Sequence, residues 1–331
     1  MLIGGVTIKP GERATIEIPV ADLYTHTSLT MPVHVLHGRH PGPTLFVSAA
    51  VHGDELNGVE IIRRLLKLRV LRALRGTLIT VPIVNVFGFL NRTRYLPDRR
   101  DLNRAFPGSE RGSVTARLAN LFAAEIVAKS DCGIDLHTGA VHRANLPQIR
   151  ADLGDERTRR LAEAFGVPVL INATVRDGSL REFTAERGIP MLLYEGGEAL
   201  RFDEDSIRAG LRGIPRVMRE LGMLPQRRPR AAVPTVVARS SAWVRAPASG
   251  IVRSLAPLGA HVKKAQVLGI VSDPFGVSET PISAPFAGII IGVSNLPLSH
   301  EGDALFHLAR FESVRDAARS LASFQSGIQE G

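Results

Sequence analysis

The chain has 331 residues, of which 44% are hydrophobic, 22% charged and only 5% aromatic. These values are ordinary for a globular protein of one or two domains, and no apolar stretch approaches the roughly 18–20 residues that a membrane span requires. The single cysteine, Cys132, excludes an internal disulfide and fits a reducing compartment. Because the first residues also lack a basic leader followed by an apolar segment, we expect a cytoplasmic protein.

The formal net charge is +9, and arginine carries most of the positive balance. Clustered basic residues can bind nucleic acid, but such surfaces usually interleave aromatic side chains, and the arginines here are scattered. In the stretch 63–76 they alternate with apolar residues at helical spacing, which indicates a solvated helix face. We therefore expect no nucleic-acid partner and a cationic surface that attracts small anionic substrates. A homo-oligomer remains open.

Strands and helices alternate over the first two-thirds of the chain. Amphipathic periodicity predicts four helices, the last closed by Gly222. Strands that are apolar on both faces and alternate with helices predict an α/β fold whose sheet is largely parallel in its middle. The predicted strands are 31–38, 42–53, 76–90, 132–139, 167–174 and 189–197, and the predicted helices are 56–74, 114–130, 157–166 and 204–222.

A change in residue composition and periodicity divides the sequence into two parts. The stretch "LPQRRPRAAVP" is rich in proline and arginine and has no periodicity, which is typical of a linker. We predict a catalytic domain over 1–225, a linker over 226–235 and a second module over 236–331 that ends in a helix at 311–325.

The second module consists of short predicted strands and contains an internal sequence repeat. "APASGIV" recurs as "APFAGII", which suggests a small β-barrel or sandwich built from a repeated unit. This pattern is similar to the biotinyl/lipoyl barrel-sandwich fold, whose carrier domains present a lysine in the hairpin between their halves. Here that hairpin reads "SDPFGVSETP" and has no lysine, so we expect a structural module or a lid and not a carrier.

A histidine and a glutamate follow the second predicted strand in "AAVHGDELNGVE". His52 and Glu55 can be polar turn residues, or they can supply an imidazole and a carboxylate to one metal ion. Catalytic zinc usually takes three protein ligands, and open α/β sheets build their sites at the carboxyl edge of the strands. His137 in "GIDLHTG" ends another strand and is the most consistent third ligand. Asp135, two residues earlier on the same side of that strand, could orient it.

A long polar loop, "NRTRYLPDRRDLNRAFPG", follows the strand predicted at 76–90. Leu102 and Phe106 are apolar, so part of the loop must pack inward. Loops of this kind on a rigid sheet often carry function. Asn103 and Arg104 could grip a carboxylate through charge-assisted hydrogen bonds.

A carboxylate also ends the strand in "LLYEGGE". Glu195 is therefore placed to act as the general base that a metal-activated water requires. Other routes have little support, because the sequence has no Gly-x-Ser-x-Gly elbow, P-loop or dinucleotide fingerprint. Cys132 precedes a buried strand and is best explained as a packed thiol.

Together, "HGDE", "DLHTG", "TRYLPDRRDLNRAFPG" and "YEGG" resemble the succinylglutamate desuccinylase/aspartoacylase family, which is related to the zinc carboxypeptidases. The resemblance implies a zinc-carboxypeptidase-like fold with one Zn²⁺ per chain. It further implies that Glu195 shuttles a proton and that Arg94 steadies the oxyanion. The implied metal ligands are His52, Glu55 and His137, and the implied contacts to the substrate carboxylate are Asn103 and Arg104.

The chain departs from the two named enzymes in places that shape the substrate. The spacing between Arg94 and Asn103 is longer than in aspartoacylase, and Gly-Gly-Glu follows Glu195 where a Gly-Pro pattern is expected. Arg181 in "GSLREF" is either a second anion contact or a helix-surface residue.

Taken together, these motifs favour a zinc-dependent hydrolase of a small N-acyl amino acid. A metallocarboxypeptidase of short peptides and a non-catalytic small-ligand binding protein remain as alternatives.

Overall fold

A computed structural model describes residues 1–173, 176–226 and 235–329. The strands are β1 Leu2–Ile3, β2 Val6–Thr7, β3 Arg13–Asp22, β4 Ser28–His37, β5 His40–Ala49, β6 Arg75–Val81, β7 Cys132–Gly139, β8 Arg143–Ala151, β9 Val169–Asn172, β10 Met191–Glu198, β11 Val236–Ala238, β12 Ser240–Arg245, β13 Gly250–Ser254, β14 His261–Val262, β15 Val267–Ser272, β16 Glu279–Ser283, β17 Gly288–Ser294, β18 Leu298–Ser299 and β19 Ala304–Arg310. The α-helices are α1 Asn57–Leu65, α2 Val86–Asn91, α3 Val114–Glu125, α4 Glu156–Phe165, α5 Leu180–Ala185, α6 Glu204–Glu220 and α7 Val314–Gln329. Short 3₁₀ helices lie at Arg69–Ala73, Leu102–Arg104 and Val127–Lys129.

One mixed sheet organises the molecule. Its main path runs β12-β19-β17-β8-β10-β7-β5-β6-β4-β3. The four central strands β10, β7, β5 and β6 are parallel, whereas β8 and β4 flank them in the antiparallel direction. The expected α/β fold with a largely parallel centre is therefore confirmed.

Helices cover both faces of this sheet because its central strands are apolar on both sides. In β5, Leu45 and Val47 point into one hydrophobic core and Phe46 into the other. Helices α1, α4, α6 and α7 pack on the first face, and α3 and α5 pack on the second. Every residue of β7 is buried. The carboxyl ends of these strands are thus held by packing from two directions.

Two of the predicted elements end earlier than the periodicity suggested. The strand expected over 76–90 stops at Val81, and α2 begins five residues later. Asn85 caps that helix, since its Oδ1 accepts a hydrogen bond of 2.8 Å from the Gly88 N–H. The helix expected over 56–74 ends at Leu65 and is followed by a separate 3₁₀ helix. A β-branched apolar run does not by itself distinguish a strand from a short buried helix.

The C-terminal strands form antiparallel sheets, as expected. A separate four-stranded sheet has the order β16-β15-β13-β18, while β12, β19 and β17 extend the large sheet. Strand β17 pairs with β8, and β11 pairs with β9, so the two predicted modules share one sheet. The predicted terminal helix is α7, whose Phe324 and Ile328 reach the core beneath α6. Most of the predicted linker, 227–234, lies outside the described residues, and the division at 225 stays a prediction.

Across the three described ranges, no helix combines the length and the apolar character needed to cross a lipid bilayer. The cytoplasmic location expected from the single cysteine stays a prediction. Cys132 itself is buried, and burial together with Asp131 raises the pKa of its thiol to about 12. This agrees with a packed thiol and not a reactive one.

Candidate active site

The predicted site residues meet at the carboxyl edge of the parallel strands. His52 follows β5, and His137 and Glu195 lie opposite each other in the ladder between β7 and β10. The turn after β5 is tight: Gly53 lies so close to α2 that a Cβ atom there would be 1.9 Å from the Gly88 carbonyl carbon. Only glycine fits at this position, and the turn directs His52 and Glu55 toward β7.

His52, Glu55 and His137 form one buried cluster whose potential ligand atoms all lie within 4.8 Å of one another. The Nδ1 atom of His52 is 2.7 Å from Glu55 Oε1, and the Nδ1 atom of His137 is 2.8 Å from Glu55 Oε2. The Thr138 N–H also donates to Glu55 Oε2. Two distant segments, the turn after β5 and the end of β7, thus bring the three side chains together.

Two further carboxylates hold the outer nitrogens of the imidazoles. The Nε2 atom of His52 is 3.0 Å from Asp101 Oδ1, and the Nε2 atom of His137 is 2.6 Å from Asp135 Oδ2. Ser48 in turn donates to Asp135. Metal-binding histidines commonly donate their second N–H to a carboxylate, which leaves the other nitrogen free for the ion. The donor set and its orientation therefore fit a divalent metal such as zinc.

The charges of this cluster are strongly coupled. Burial acts to lower the pKa of His52, but Glu55 and Asp101 outweigh it and the pKa is raised. The pKa of His137 is likewise raised, because Asp135 and Glu55 outweigh burial. Burial acts to raise the pKa of Glu55, but the two imidazoles outweigh it and hold the pKa well below its usual range. Protons and a metal ion therefore compete for the imidazole nitrogens of this cluster.

Arg94, for which the family resemblance implies an oxyanion contact, lies beside the cluster. Its Nη1 is 3.3 Å from Glu55 Oε1, and its Nη2 is 3.0 Å from Asp101 Oδ2. Asp101 therefore links Arg94 to His52. Asp101 was not predicted from the sequence, because it is one of several charged residues in its loop. Its position two residues before Asn103 was the only clue that it belongs to the site.

Asn103 and Arg104 lie on the 3₁₀ helix within this loop and line the same cavity as the metal cluster. The Oδ1 atom of Asn103 accepts a 2.9 Å hydrogen bond from the Leu180 N–H, which ties the loop to α5. Arg104 donates to the Asn103 carbonyl. Arg181 is on α5 but lines the cavity and is not a helix-surface residue. Burial and Arg150 lower the pKa of Arg181 to about 10.

Two side chains of the neighbouring strand β8 hold the carboxylate of Glu195 in place. Arg150 Nε is 3.1 Å from Glu195 Oε1, and the Asn145 amide donates to Glu195 Oε2. Sequence reasoning missed both residues because it did not predict β8. Pro147 interrupts the alternation of that segment, and a proline normally argues against a central strand.

The cavity that these residues surround has a volume of about 220 Å³. The C-terminal segment completes it, because Trp243 on β12 is one of the lining residues. The indole ring stacks on His307 of β19 with ring centroids 4.7 Å apart. The guanidinium of Arg143 lies 5.0 Å from the centre of the indole. The second module thus forms part of the site, although Trp243 itself was not predicted from the sequence.

The fold and the site are those of a family of deacylases of the amidohydrolase type. Residues 41–221 match the succinylglutamate desuccinylase/aspartoacylase catalytic domain. The chain belongs to this family.

Among curated proteins, the chain is similar to the N-alpha-acetyl-L-2,4-diaminobutyric acid deacetylase of Halomonas elongata. The two are 28% identical over 274 residues, which cover 79% of this chain and 80% of the relative. Among solved structures, a succinylglutamate desuccinylase/aspartoacylase from Rhodobacter sphaeroides is 26% identical with a TM-score of 0.82. The product-bound ectoine utilization protein EutE (DoeB) from Ruegeria pomeroyi is 22% identical with the same TM-score. In both comparisons the match covers 92% of this chain and 97% of the other.

Proposed function

We propose that the chain is a zinc-dependent amidohydrolase that cleaves the amide bond of a small N-acyl amino acid. The observation that carries this proposal is the convergence of His52, Glu55 and His137 beside Glu195 in one cavity. The family membership and the similarity to a deacetylase of an N-acetylated amino acid support it.

Two imidazole nitrogens and one carboxylate are the ligand set from which catalytic zinc sites are commonly built. His52 and His137 would bind the ion through Nδ1, while their Nε2 atoms stay on Asp101 and Asp135. When bound, zinc lowers the pKa of a water molecule toward about 7 and polarises the scissile carbonyl. We expect one ion per chain.

The protein's own residues perform the remaining steps. Glu195 takes the proton from the attacking water and passes it to the departing amine. Arg94 donates to the oxyanion that develops on the acyl carbonyl, in a site where few water molecules compete. Asn103 and Arg104 hold the substrate carboxylate and set the position of the amide. Catalysis thus combines proton transfer by one carboxylate with charge stabilisation by one guanidinium.

A carboxypeptidase acting on peptides would use the same constellation, but the cavity favours a smaller substrate. A volume of about 220 Å³ is below the range of about 300–1,000 Å³ that accommodates drug-sized ligands. Trp243 lines the cavity from the side of the second module. A binding protein without activity would have no need of a carboxylate at position 195.

The test is a metal analysis of the purified protein followed by hydrolysis assays with N-acetyl amino acids and short peptides. We expect about one zinc per chain and release of free amino acid from the N-acyl compounds. Faster cleavage of peptides would identify a carboxypeptidase. Absence of both activities in zinc-loaded protein would contradict the proposal.

A further inference from the structure

Gln148 lies within β8 and is fully buried, although its side chain ends in a polar amide. Among the described residues, neither its Oε1 nor its Nε2 atom has a hydrogen-bond partner. A buried amide without partners costs stability, because water satisfies both atoms in the unfolded chain. An apolar side chain of the same length would avoid that cost, so packing alone does not explain a glutamine at this position.

The ladder between β8 and β10 places this amide beside the proposed base. Gln148 lies directly opposite Glu195, and the adjacent pair, Ile149 and Tyr194, contributes to the core beneath α6. Because side chains alternate along a strand, Gln148 and Glu195 both face away from that core. They share the side of the sheet on which Glu195 lines the cavity. The Cβ atoms of such opposing residues are about 4.5–5.5 Å apart, so the two side chains are neighbours.

Arg150 contributes a further polar atom without a hydrogen-bond partner on the same side of β8. Its Nε atom is 3.1 Å from Glu195 Oε1, which makes an ion pair. Within the part of the chain that the structure describes, however, the buried Nε–H has no hydrogen-bond acceptor. Arg150 follows Gln148 by two residues and therefore faces the same way. Three polar atoms of β8 that need partners thus lie around one carboxylate.

These atoms form a suitable site for one internal water molecule. A buried water usually makes about two to four hydrogen bonds to polar groups that would otherwise lack partners. The Gln148 amide, Arg150 Nε and Glu195 Oε1 supply both donors and acceptors for it. On the other side of the carboxylate, the Asn145 amide already donates to Oε2. Only Oε1 is left without a directed hydrogen bond from β8.

We infer that Gln148 is a positioning residue for Glu195 and acts through one internal water molecule. The water accepts a hydrogen bond from Arg150 Nε and donates one to Glu195 Oε1, and the Gln148 amide is its third partner. The role of Glu195 as base, which this inference needs, rests on the proposed function. Gln148 is fully buried and is not among the residues that line the cavity, so it acts on the reaction only through Glu195.

The variant Gln148→Met tests this role, because methionine has a similar length and cannot hold the water. We expect kcat to fall about tenfold and KM to stay within about twofold of the wild type. The melting temperature should not fall, since the substitution removes a buried amide. Unchanged kcat would overturn the inference. The control is Ser299→Ala on β18, which also removes a buried polar atom without a partner and should leave kcat unchanged.

A double-mutant cycle shows whether Gln148 acts through the base. In the background of Glu195→Gln there is no base to position, so Gln148→Met should lower the residual kcat by less than about twofold. A residue that only supports the fold would lower kcat by the same factor in both backgrounds. An equal loss in the two backgrounds would therefore overturn the positioning role.

A crystal structure of the zinc-loaded wild-type protein tests the link without any assay, and also if the variant does not fold. We expect an ordered water molecule within hydrogen-bond distance of Gln148, Arg150 and Glu195. Absence of hydrolysis with this water in place would overturn the proposed function and retain the link between Gln148 and Glu195. A Gln148 amide bonded to neither this water nor Glu195 would overturn the inference, whatever the activity.

Discussion

Arg150 and Glu195 form an ion pair across two antiparallel strands, with Arg150 Nε 3.1 Å from Glu195 Oε1. Asn145, on the same strand as Arg150, donates to the other carboxylate oxygen. The ladder between β8 and β10 shifts register between Glu195 and Gly197, which brings Asn145 opposite Gly197. The orientation of the proposed base is therefore set by β8 and not by its own strand alone.

Replacement of the base should separate metal binding from turnover. In Glu195→Gln the amide cannot accept a proton from water, so we expect kcat to fall by about 10²- to 10⁴-fold. The zinc content should stay at the wild-type value, because Glu195 is not one of the three ligands. Metal analysis and steady-state kinetics on the same preparation check both expectations. Wild-type activity in this variant would exclude Glu195 as the base.

Loss of the Asn145 amide should misplace the base without removing it. Asn145→Ala leaves Glu195 Oε2 without its hydrogen bond, so we expect kcat to fall by about tenfold with little change in KM. Asn91→Ala, which removes an exposed asparagine on α2, is the matched control. An effect confined to KM would show that Asn145 contacts the substrate and does not position Glu195.

The metal should depend on both histidines of the cluster. We expect His52→Ala to reduce bound zinc to less than about a tenth of the wild-type content at micromolar metal, because two ligands no longer make a site. The exposed His300, replaced by alanine, is the control. Chelation should also lower the melting temperature of the wild-type protein, since the ion binds only the folded state. A variant that keeps full zinc content would place the metal elsewhere.

His307 should make the fold sensitive to acid. Its pKa in the folded state is about 3, because of burial and the facing Arg150 and Arg143, whereas an unfolded chain has a histidine pKa near 6.5. Between these values only the unfolded state binds the proton, so this contribution to stability is complete above about pH 6.5 and is lost as the pH falls toward 3. The loss is at most about 1.4 kcal/mol per pH unit.

Chemical denaturation at pH 7 and pH 5 measures this effect. The difference in the free energy of unfolding between the two conditions should be smaller in His307→Gln than in the wild type. The exposed His261, replaced by glutamine, should behave like the wild type. Equal pH dependence in all three proteins would exclude the proposed protonation.

Gly292 on β17 has no side chain, and this leaves room for the neighbouring side chains of Asn145 and His307. A Cβ atom there would be 2.8 Å from Asn145 Oδ1 and 3.2 Å from His307 Cβ. We therefore expect Gly292→Ala to displace Asn145 and lower kcat by roughly tenfold, although the residue does not line the cavity. Gly327→Ala meets no atom within 4 Å and serves as the control. Unchanged kinetics in Gly292→Ala would show that Asn145 adapts without disturbing Glu195.

The central part of the site could be predicted because its residue types stand at the ends of apolar runs. His52, His137 and Glu195 each close or follow a strand that reads clearly in the sequence, and parallel strands bring their carboxyl ends to one edge. Asp135 could be placed because alternation along a strand sets which side a residue faces.

The remaining parts could not be predicted because they depend on contacts between distant segments. Asn145 and Arg150 lie on a strand whose pattern Pro147 obscures. Trp243 reaches the cavity only through the strand order β12-β19-β17-β8, and no local pattern encodes that order. The error at α2 arose from the local pattern itself, since a short apolar segment fits either a strand or a buried helix.

The sharing of one sheet also bears on how the protein is made. The outer neighbours of β8 and β9 are β17 and β11, which come from beyond residue 235. During synthesis the first part of the chain therefore emerges with the free edges of two strands, and such edges readily join strands of other molecules. The strand that holds Glu195 in place remains open to misassembly until the last third of the polypeptide has left the ribosome.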